Sequence, residues 1–203
     1  MRAALACALQ GLLRSSEFAL DAGKVWNPKL HVSRADVKEL LPHRMTLMIA
    51  PCKSGKHLSG KTCALVIGGG GEYVDAVKEV ANMLRVDPIR PGESAKDIPL
   101  FRVAGTREPL RTNAVLAITR RLMQAIGERP EQFGTHSYRI GGATALFAAG
   151  ADETVIRTMG RWCSDIHQLY TRACYERCCE WTRRAGSTVV TDVARVFDEV
   201  DDY

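Results

Sequence analysis

Four consecutive glycines at positions 68–71 divide the chain into two parts with different hydrophobic periodicity. Before them, short β-prone runs stand between polar turns: LHV, TLMIA and TCALVI. After them, apolar residues recur every three or four positions, which is typical of amphipathic helices. Because the two patterns are segregated along the chain, the sequence predicts an α+β fold that is mainly helical, with a small antiparallel sheet early in the chain.

Helical spacing is predicted over 2–21, 72–84, 111–126, 136–149, 152–159, 164–182 and 189–199. For the helix over 136–149, Thr135 is the expected N-cap, and Gly150 is expected to end the helix. TLMIA and TCALVI are joined by PCKSGKHLSGK, which predicts a hairpin with a long, lysine-rich loop. With 203 residues, one domain is expected over 1–186, followed by a C-terminal helix and acidic tail over 187–203.

Composition narrows the functional classes. No apolar run approaches the roughly 18 residues that a membrane span needs, so we expect no membrane partner. Seven cysteines without a disulfide-framework spacing favour reduced thiols in an intracellular protein. Residues 101–186 carry 13 Lys+Arg against 8 Asp+Glu, whereas the last 17 residues carry 1 against 5. From residue 97 onward every cationic side chain is arginine, which favours two-pronged contact with phosphate and makes nucleic acid a candidate partner.

A phosphate-loop pattern, GxxxxGK[ST], is matched letter for letter by Gly55 to Thr62. Such a loop binds phosphate only where it leaves a buried strand and opens a helix whose N-terminal amides hold the phosphates. The residues that follow, TCALVI, predict a short strand that ends at the four glycines. A nucleotide hydrolase is therefore kept as a minor alternative, and a lysine-rich hairpin is the preferred interpretation.

Four separated segments carry side chains that bind phosphate or transfer protons. They are GLLRSSE with Arg14 and Glu17, the hairpin with Lys53 and Lys56, HSYR with His136 and Arg139, and GRWCSDIHQLY with Trp162 and Tyr170. Taken singly, each has a simpler explanation, such as a surface ion pair, a solvated turn or a packed aromatic residue. An imidazole and a guanidinium three residues apart at a helix N-terminus nevertheless predict an anion site, because all three features favour phosphate.

In this order and spacing, the four segments resemble the tyrosine recombinase (phage integrase) family. Its signature is an Arg in LRxSE, a hairpin Lys, HxxR before a Gly/Ala-rich helix, and a G-(H/W) segment that ends in the nucleophilic Tyr. The GRW form is similar to recombinases of eukaryotic mobile elements. The resemblance implies a recombinase catalytic domain over 1–186, with a truncated N-terminal helix and without the core-binding domain that clamps DNA. One spacing departs: Trp162 precedes Tyr170 by eight residues, and Arg161 stands at the usual nine.

The resemblance also implies a reaction, namely site-specific DNA recombination or integration in which Tyr170 attacks a phosphodiester and forms a 3′-phosphotyrosine intermediate. By the same resemblance, Arg14, Arg139 and His136 bind the phosphate, Trp162 donates a further hydrogen bond to it, and Glu17 supports the site. Lys53 protonates the leaving group, with Lys56 as the second choice. Two guanidinium groups would stabilise the charge that metal ions stabilise in many nucleases, so no metal or cofactor is expected.

The expected partners are double-stranded DNA and further copies of the chain, in a dimer or tetramer on DNA. An intracellular location follows, which is the nucleus if the host is eukaryotic. Besides the nucleotide hydrolase, the alternatives are a non-catalytic DNA-binding module descended from such an enzyme, and a topoisomerase that shares the cleavage chemistry.

Overall fold

A small antiparallel sheet and a set of helices surround one alanine-rich helix. The computed structural model of the chain describes residues 1–50, 62–162 and 175–188. Within these ranges there are seven helices: α1 (Arg2–Gln10), α2 (Ser15–Phe18), α3 (Ala76–Val86), α4 (Thr112–Ala125), α5 (Ser137–Ala148), α6 (Glu153–Gly160) and α7 (Tyr175–Gly186). The three strands are β1 (Val37–Leu41), β2 (Arg44–Ile49) and β3 (Cys63–Gly68). The predicted α+β class is confirmed.

The sheet has the order β1-β2-β3, and both pairs are antiparallel. Along β2, Met45, Leu47 and Ile49 are buried and alternate with partly exposed residues, as expected for a strand with one face on the core. The register sets Arg44 opposite Gly68 and Ile49 opposite Cys63. The strands predicted from TLMIA and TCALVI are therefore confirmed, while the loop between them falls in 51–61, outside the described residues.

The strand predicted from LHV, residues 30–32, is wrong. These residues form a turn and irregular backbone, and the first strand begins five residues later, at Val37. Its sequence, VKELL, contains Lys and Glu, which are depleted in strands. They are accommodated because β1 is an edge strand whose residues are all at least partly exposed.

The single helix predicted over 2–21 is also wrong, because α1 ends at Gln10. The Leu12 N–H donates to the Leu9 carbonyl and the Leu13 N–H to the Ala8 carbonyl, which is the Schellman pattern of helix termination. Leu12 takes the left-handed conformation, φ 48°, that glycine commonly adopts at this position. Leu12 and Leu13 are fully buried in this turn, so their apolar spacing imitates a continuing helix.

Helix α1 lies at the centre of the helical layer, where it contacts α3, α5 and α7. It packs tightly against α5, and Gly142 makes this approach possible. A Cβ at residue 142 would lie 2.5 Å from the Leu12 Cδ2 and closer still to the Leu9 carbonyl oxygen. The absence of a Cβ at residue 142 therefore lets the Gly/Ala-rich helix pack closely on α1.

One buried amide joins three helices. The Gln10 side chain donates to the Thr182 carbonyl oxygen in α7 at 2.7 Å and accepts from the Ala76 N–H at the start of α3 at 2.6 Å. It is only 3% exposed, so both hydrogen bonds form away from solvent. The helix C-terminal to the predicted catalytic segment is thereby tied to the N-terminal helix.

The predicted helices after the glycines agree with the structure within a few residues for α3 to α6. The N-cap of α5 is His136 rather than Thr135, and Gly150 follows the helix with a positive φ of 82°. Helix α7 covers the last part of the helix predicted over 164–182. Residues 163–174 and 189–203, which include the rest of that helix and the one predicted over 189–199, lie outside the described residues.

A buried charge cluster anchors the connector between α3 and α4. The Asp87 carboxylate accepts from the Arg102 Nε at 2.8 Å and from the Arg34 Nη2 at 2.5 Å, and it also accepts from the Gly105 N–H. Hydrogen bonds from Arg102 are the main cause that lowers the pKa of Asp87 to about 2. The carboxylate therefore stays ionised and holds two almost fully buried arginines.

Among the described helices, none combines the length and hydrophobicity that crossing a lipid bilayer would require.

Candidate functional site

The candidate site lies where the C-terminal ends of α1 and α6 meet. Helix α6 ends in the same way as α1: the Arg161 N–H donates to the Thr158 carbonyl and the Trp162 N–H to the Arg157 carbonyl. Arg161 has a φ of 55°, so it is the left-handed residue of the second Schellman motif. Carbonyl oxygens at helix C-termini carry partial negative charge, and two arginine side chains fill the space between the two ends.

Arg139 is the first of these arginines. It projects from the first turn of α5 and is only 3% exposed. Its Nη1 donates to the Leu12 carbonyl oxygen at 2.9 Å, and its Nη2 donates to the Gly160 carbonyl oxygen. A single guanidinium thus joins the ends of α1 and α6, and its Leu12 partner lies 127 residues earlier in the sequence. The HxxR motif therefore supplies a buried arginine at this junction.

Arg14 and Glu17 lie on the other side of the Leu12 turn. They do not lie within one long helix, as the prediction over 2–21 implied, because Arg14 is the N-cap of the short helix α2 and Glu17 is in its first turn. The Glu17 carboxylate accepts from the Arg14 backbone N–H at 2.7 Å and from the Arg14 Nη1 at 3.2 Å. The Arg14 side chain is 31% exposed and that of Glu17 is 9% exposed. Arg14 is therefore the member of this pair that faces solvent.

Arg161 is a site residue that the sequence reasoning did not select. Its side chain is 4% exposed, and its Nη2 lies 2.6 Å from the Glu17 Oε2. It also donates to the carbonyl oxygens of Gly11, Leu12 and Met159. The available sequence signal was its position nine residues before Tyr170, where the family places a hydrogen-bonding residue.

Trp162 stands at the edge of the site and is 38% exposed. The Arg139 Cζ lies 4.7 Å from the centroid of the Trp162 ring, in a cation–π contact. The same ring packs on Gly160, where a Cβ would lie 2.5 Å from the Trp162 Cη2 and closer to two other ring atoms. The Gly-Arg-Trp sequence thus combines a residue without a side chain, a buried cation and an aromatic ring that covers a second cation.

His136 is the N-cap of α5 and is exposed. Its backbone carbonyl accepts from the Arg139 N–H at 3.0 Å, so the imidazole begins one helical turn before the guanidinium. Tyr138, between them, makes a 2.8 Å hydrogen bond with the Thr119 hydroxyl of α4, and an edge-on contact with Phe18 of α2. These contacts fix the start of α5 against α4 and α2.

The base of the hairpin lies beside this site. Burial raises the pKa of the Cys63 thiol, on which the charges of Arg161, Glu17 and Arg14 also act. Cys63 is the first residue of β3, and it pairs with Ile49 at the end of β2. The chain therefore leaves the sheet for the 51–61 segment, and returns from it, near the arginines.

Three predicted site residues lie outside the described residues: Lys53 and Lys56 in 51–61, and Tyr170 in 163–174. Those that the structure does describe are brought to one region, because Arg14 and Glu17 connect through Arg161 and the Leu12 carbonyl to Arg139 and Trp162. His136 stands one turn away on the surface.

The phosphate-loop alternative requires a helix directly after Thr62, but the structure has a strand there. After Thr62, the last residue of the pattern, the chain continues as β3 and pairs with β2 in antiparallel fashion. A nucleotide-binding loop of this kind must open a helix at that point. The Gly55 to Thr62 match is therefore not accompanied by the helix N-terminus that would hold phosphates.

The described part of the site carries excess positive charge, with guanidinium groups of Arg14, Arg139 and Arg161 against the carboxylate of Glu17. Burial strengthens the attraction between these guanidinium groups and an anion, because little water is present to screen the charges. The arrangement is suited to hold a phosphate group at its solvent-facing edge, where Arg14, Trp162 and His136 are exposed or partly exposed.

Comparison with protein-family models and with curated proteins finds no match to this sequence.

Proposed function

We propose that this chain cleaves and rejoins DNA strands by attack of a tyrosine on a phosphodiester, in the manner of the tyrosine recombinases. One observation carries the proposal: side chains of three motifs chosen from sequence alone, in GLLRSSE, HSYR and GRW, meet around the Leu12 turn. A set of unrelated surface pairs has no reason to converge on one backbone carbonyl.

The proposed reaction begins with Tyr170. Its phenolic oxygen attacks the phosphorus, the Tyr Oη–P bond forms, and the bond from phosphorus to the 5′-oxygen breaks. The phenol proton passes to His136 or to water, and Lys53 or Lys56 gives a proton to the departing 5′-oxygen. Reversal by another 5′-hydroxyl rejoins the strand without ATP, because the phosphotyrosine bond retains the energy of the phosphodiester.

Arginine chemistry supports this assignment. The non-bridging oxygens gain negative charge as the tyrosine attacks, and guanidinium groups stabilise that charge through two-pronged hydrogen bonds. In the proposed complex, Arg14 contacts the phosphate from the solvent-facing side, Arg139 acts from the junction of α1 and α6, and the Trp162 indole N–H adds a hydrogen bond. Removing one such donor typically lowers the rate by about 10²–10³-fold.

The test uses duplex DNA with a nick next to the cleavage position, so that the short 5′-hydroxyl strand diffuses away and the covalent adduct accumulates. Because the target is unknown, a pool of duplexes with random sequence is used, and adducts are detected on denaturing gels. The expected result is a slow-migrating protein–DNA band that is lost in Tyr170→Phe and retained in Tyr73→Phe, since Tyr73 is an exposed tyrosine outside the site.

Absence of the band for the wild-type protein across the pool would refute cleavage by this chain. In that case, salt-dependent DNA binding that is equal for the wild type and Tyr170→Phe would identify a non-catalytic DNA-binding module instead. A band that persists in Tyr170→Phe would assign the nucleophile to another residue.

A further inference from the structure

Two strained residues meet at the candidate site. Among the described residues, Leu12 and Arg161 are the only non-glycine residues with positive φ, at 48° and 55°. They are joined directly, because the Arg161 Nη2 donates to the Leu12 carbonyl oxygen at 3.1 Å. Backbone strain of this kind persists only where the surroundings over-determine it, and it clusters at functional sites. Glycine is the residue expected at either position, so the side chain of Arg161 must compensate for the strain.

The contacts of Arg161 show what that side chain does. Its Nη1 donates to the Gly11 carbonyl oxygen at 3.1 Å and to that of Met159 at 2.9 Å, so it satisfies the ends of α1 and α6. Its Nη2 lies 2.6 Å from the Glu17 carboxylate. Its Nε is buried and has no hydrogen-bond partner within the described part of the chain. The whole group is enclosed, so it cannot reach a DNA phosphate without leaving these partners.

Glu17 connects this enclosed arginine to the exposed one. Its Oε2 accepts from Arg161 and from the Arg14 backbone N–H, and its Oε1 accepts from the Arg14 Nη1. A buried carboxylate with Arg14 alone would neutralise the charge of Arg14. With Arg161 as a second cation, the three groups retain one net positive charge, and the most exposed of the three side chains is that of Arg14, at 31%.

We propose that Arg161 is a positioning residue that holds Glu17 and, through Glu17, aims Arg14 at the reacting phosphate. The proposal rests on the proposed function, in which Arg14 stabilises the charge on that phosphate. Arg161 is then not a substitute for the family's hydrogen-bonding residue nine positions before the tyrosine. It acts on the phosphate only through Glu17 and Arg14, without contacting the substrate.

The experiment compares Arg161→Gly, which suits the left-handed backbone and removes the guanidinium, with Arg161→Lys, which keeps a charge but cannot span the same partners. The matched control is Arg157→Ala, since Arg157 is an exposed arginine on α6 paired with Glu153. Single-turnover adduct formation on the DNA pool is expected to slow on the order of 10²-fold in both Arg161 variants, with DNA affinity changed less than about threefold. The control retains the wild-type rate.

A double-mutant cycle separates positioning from general structural support. If Arg161 acts through Arg14, the rate of Arg14→Ala is lowered no further by adding Arg161→Gly. A structural role instead predicts that the two losses multiply, and that result would overturn the proposal. Equal weakening of DNA binding and rate would overturn it as well.

A measurement without DNA keeps the outcome independent of the cleavage reaction. The Nε–Hε signal of Arg14 in a ¹H–¹⁵N spectrum is assigned by its loss in Arg14→Ala. It is expected to shift and broaden in Arg161→Gly and to stay unchanged in Arg157→Ala. An unchanged Arg14 signal in Arg161→Gly refutes the positioning role, whereas absence of a wild-type adduct refutes the proposed function.

Discussion

Gly142→Ala tests the tight contact between α5 and α1, and Gly141→Ala is its matched control. The two residues are adjacent in the interior of α5, so alanine brings the same gain in helix propensity at both, about 0.5–1 kcal/mol. Their surroundings differ. Among the described residues, a Cβ at residue 141 would meet only the Leu9 Cδ1, at an ordinary 3.5 Å, whereas at residue 142 it would overlap the Leu9 carbonyl and lie 2.5 Å from the Leu12 Cδ2.

The magnitude follows from this difference. Overpacking against backbone typically costs about 1–3 kcal/mol, because α5 must move away from α1 as a unit. The propensity gain cancels between the two variants, so Gly142→Ala should be less stable than Gly141→Ala by the whole of that cost. For a chain of this size, each kcal/mol corresponds to about 2–4 °C in Tm. Gly141→Ala itself should be slightly more stable than the wild type.

The assay is thermal and urea unfolding followed by far-ultraviolet circular dichroism, with all three proteins at the same concentration and pH. Equal Tm values for the two variants would refute the argument that α5 rests on the α1 backbone at Gly142. Movement of α5 also moves Arg139 away from the Leu12 carbonyl, so under the proposed function Gly142→Ala should lose adduct formation on DNA while Gly141→Ala keeps it.

The remaining predictions concern a carboxylate, a thiol and a glycine. The folded-state pKa of Asp87 is lowered to about 2, so its stabilisation is fully present above the unfolded-state pKa near 3.8 and is lost as the pH falls through 2. Asp87→Asn should therefore lower the free energy of unfolding by about 2 kcal/mol at pH 7 and by progressively less toward pH 2, as measured by urea unfolding. A decrease that does not depend on pH would contradict this. Burial raises the pKa of the Cys7 thiol, so alkylation followed by peptide mass spectrometry should label Cys7 only after unfolding, and rapid labelling in buffer would contradict it. Gly160→Ala should lower Tm through its clash with the Trp162 ring, and the loss should be smaller in the presence of Trp162→Ala; additive losses would contradict that contact.

Local patterns predicted most of the regular structure. The strands around Leu47 and Leu65 follow from β-prone runs, and helices α3 to α6 follow from apolar spacing and their glycine boundaries. The error over 2–21 arises because tertiary burial overrides the local pattern. Leu12 and Leu13 continue a helical spacing although they form a turn, and their burial in that turn comes from packing that the local pattern does not encode.

The candidate site was predictable as a set of residue types but not as a geometry. Arg139 stands in a motif with a glycine-rich helix, and both features follow from reading the sequence. The contacts of Arg161 do not, because a left-handed arginine at the end of α6 is an exception to the preference for glycine there. Nothing in the local sequence indicates that the partners of Arg161 are the carbonyl oxygens of Gly11 and Leu12, which lie about 150 residues earlier.

The Gln10 amide has a consequence for the order in which the chain assembles during synthesis. The acceptor of its side-chain NH2 group, the Thr182 carbonyl oxygen, lies 172 residues later in the last described helix, so a ribosome must synthesise α7 before that hydrogen bond can form. Until then the Gln10 side-chain oxygen can accept from the Ala76 N–H, but its NH2 group has only water as a partner. Closure of the helical layer around α1 is therefore expected to follow the arrival of α7.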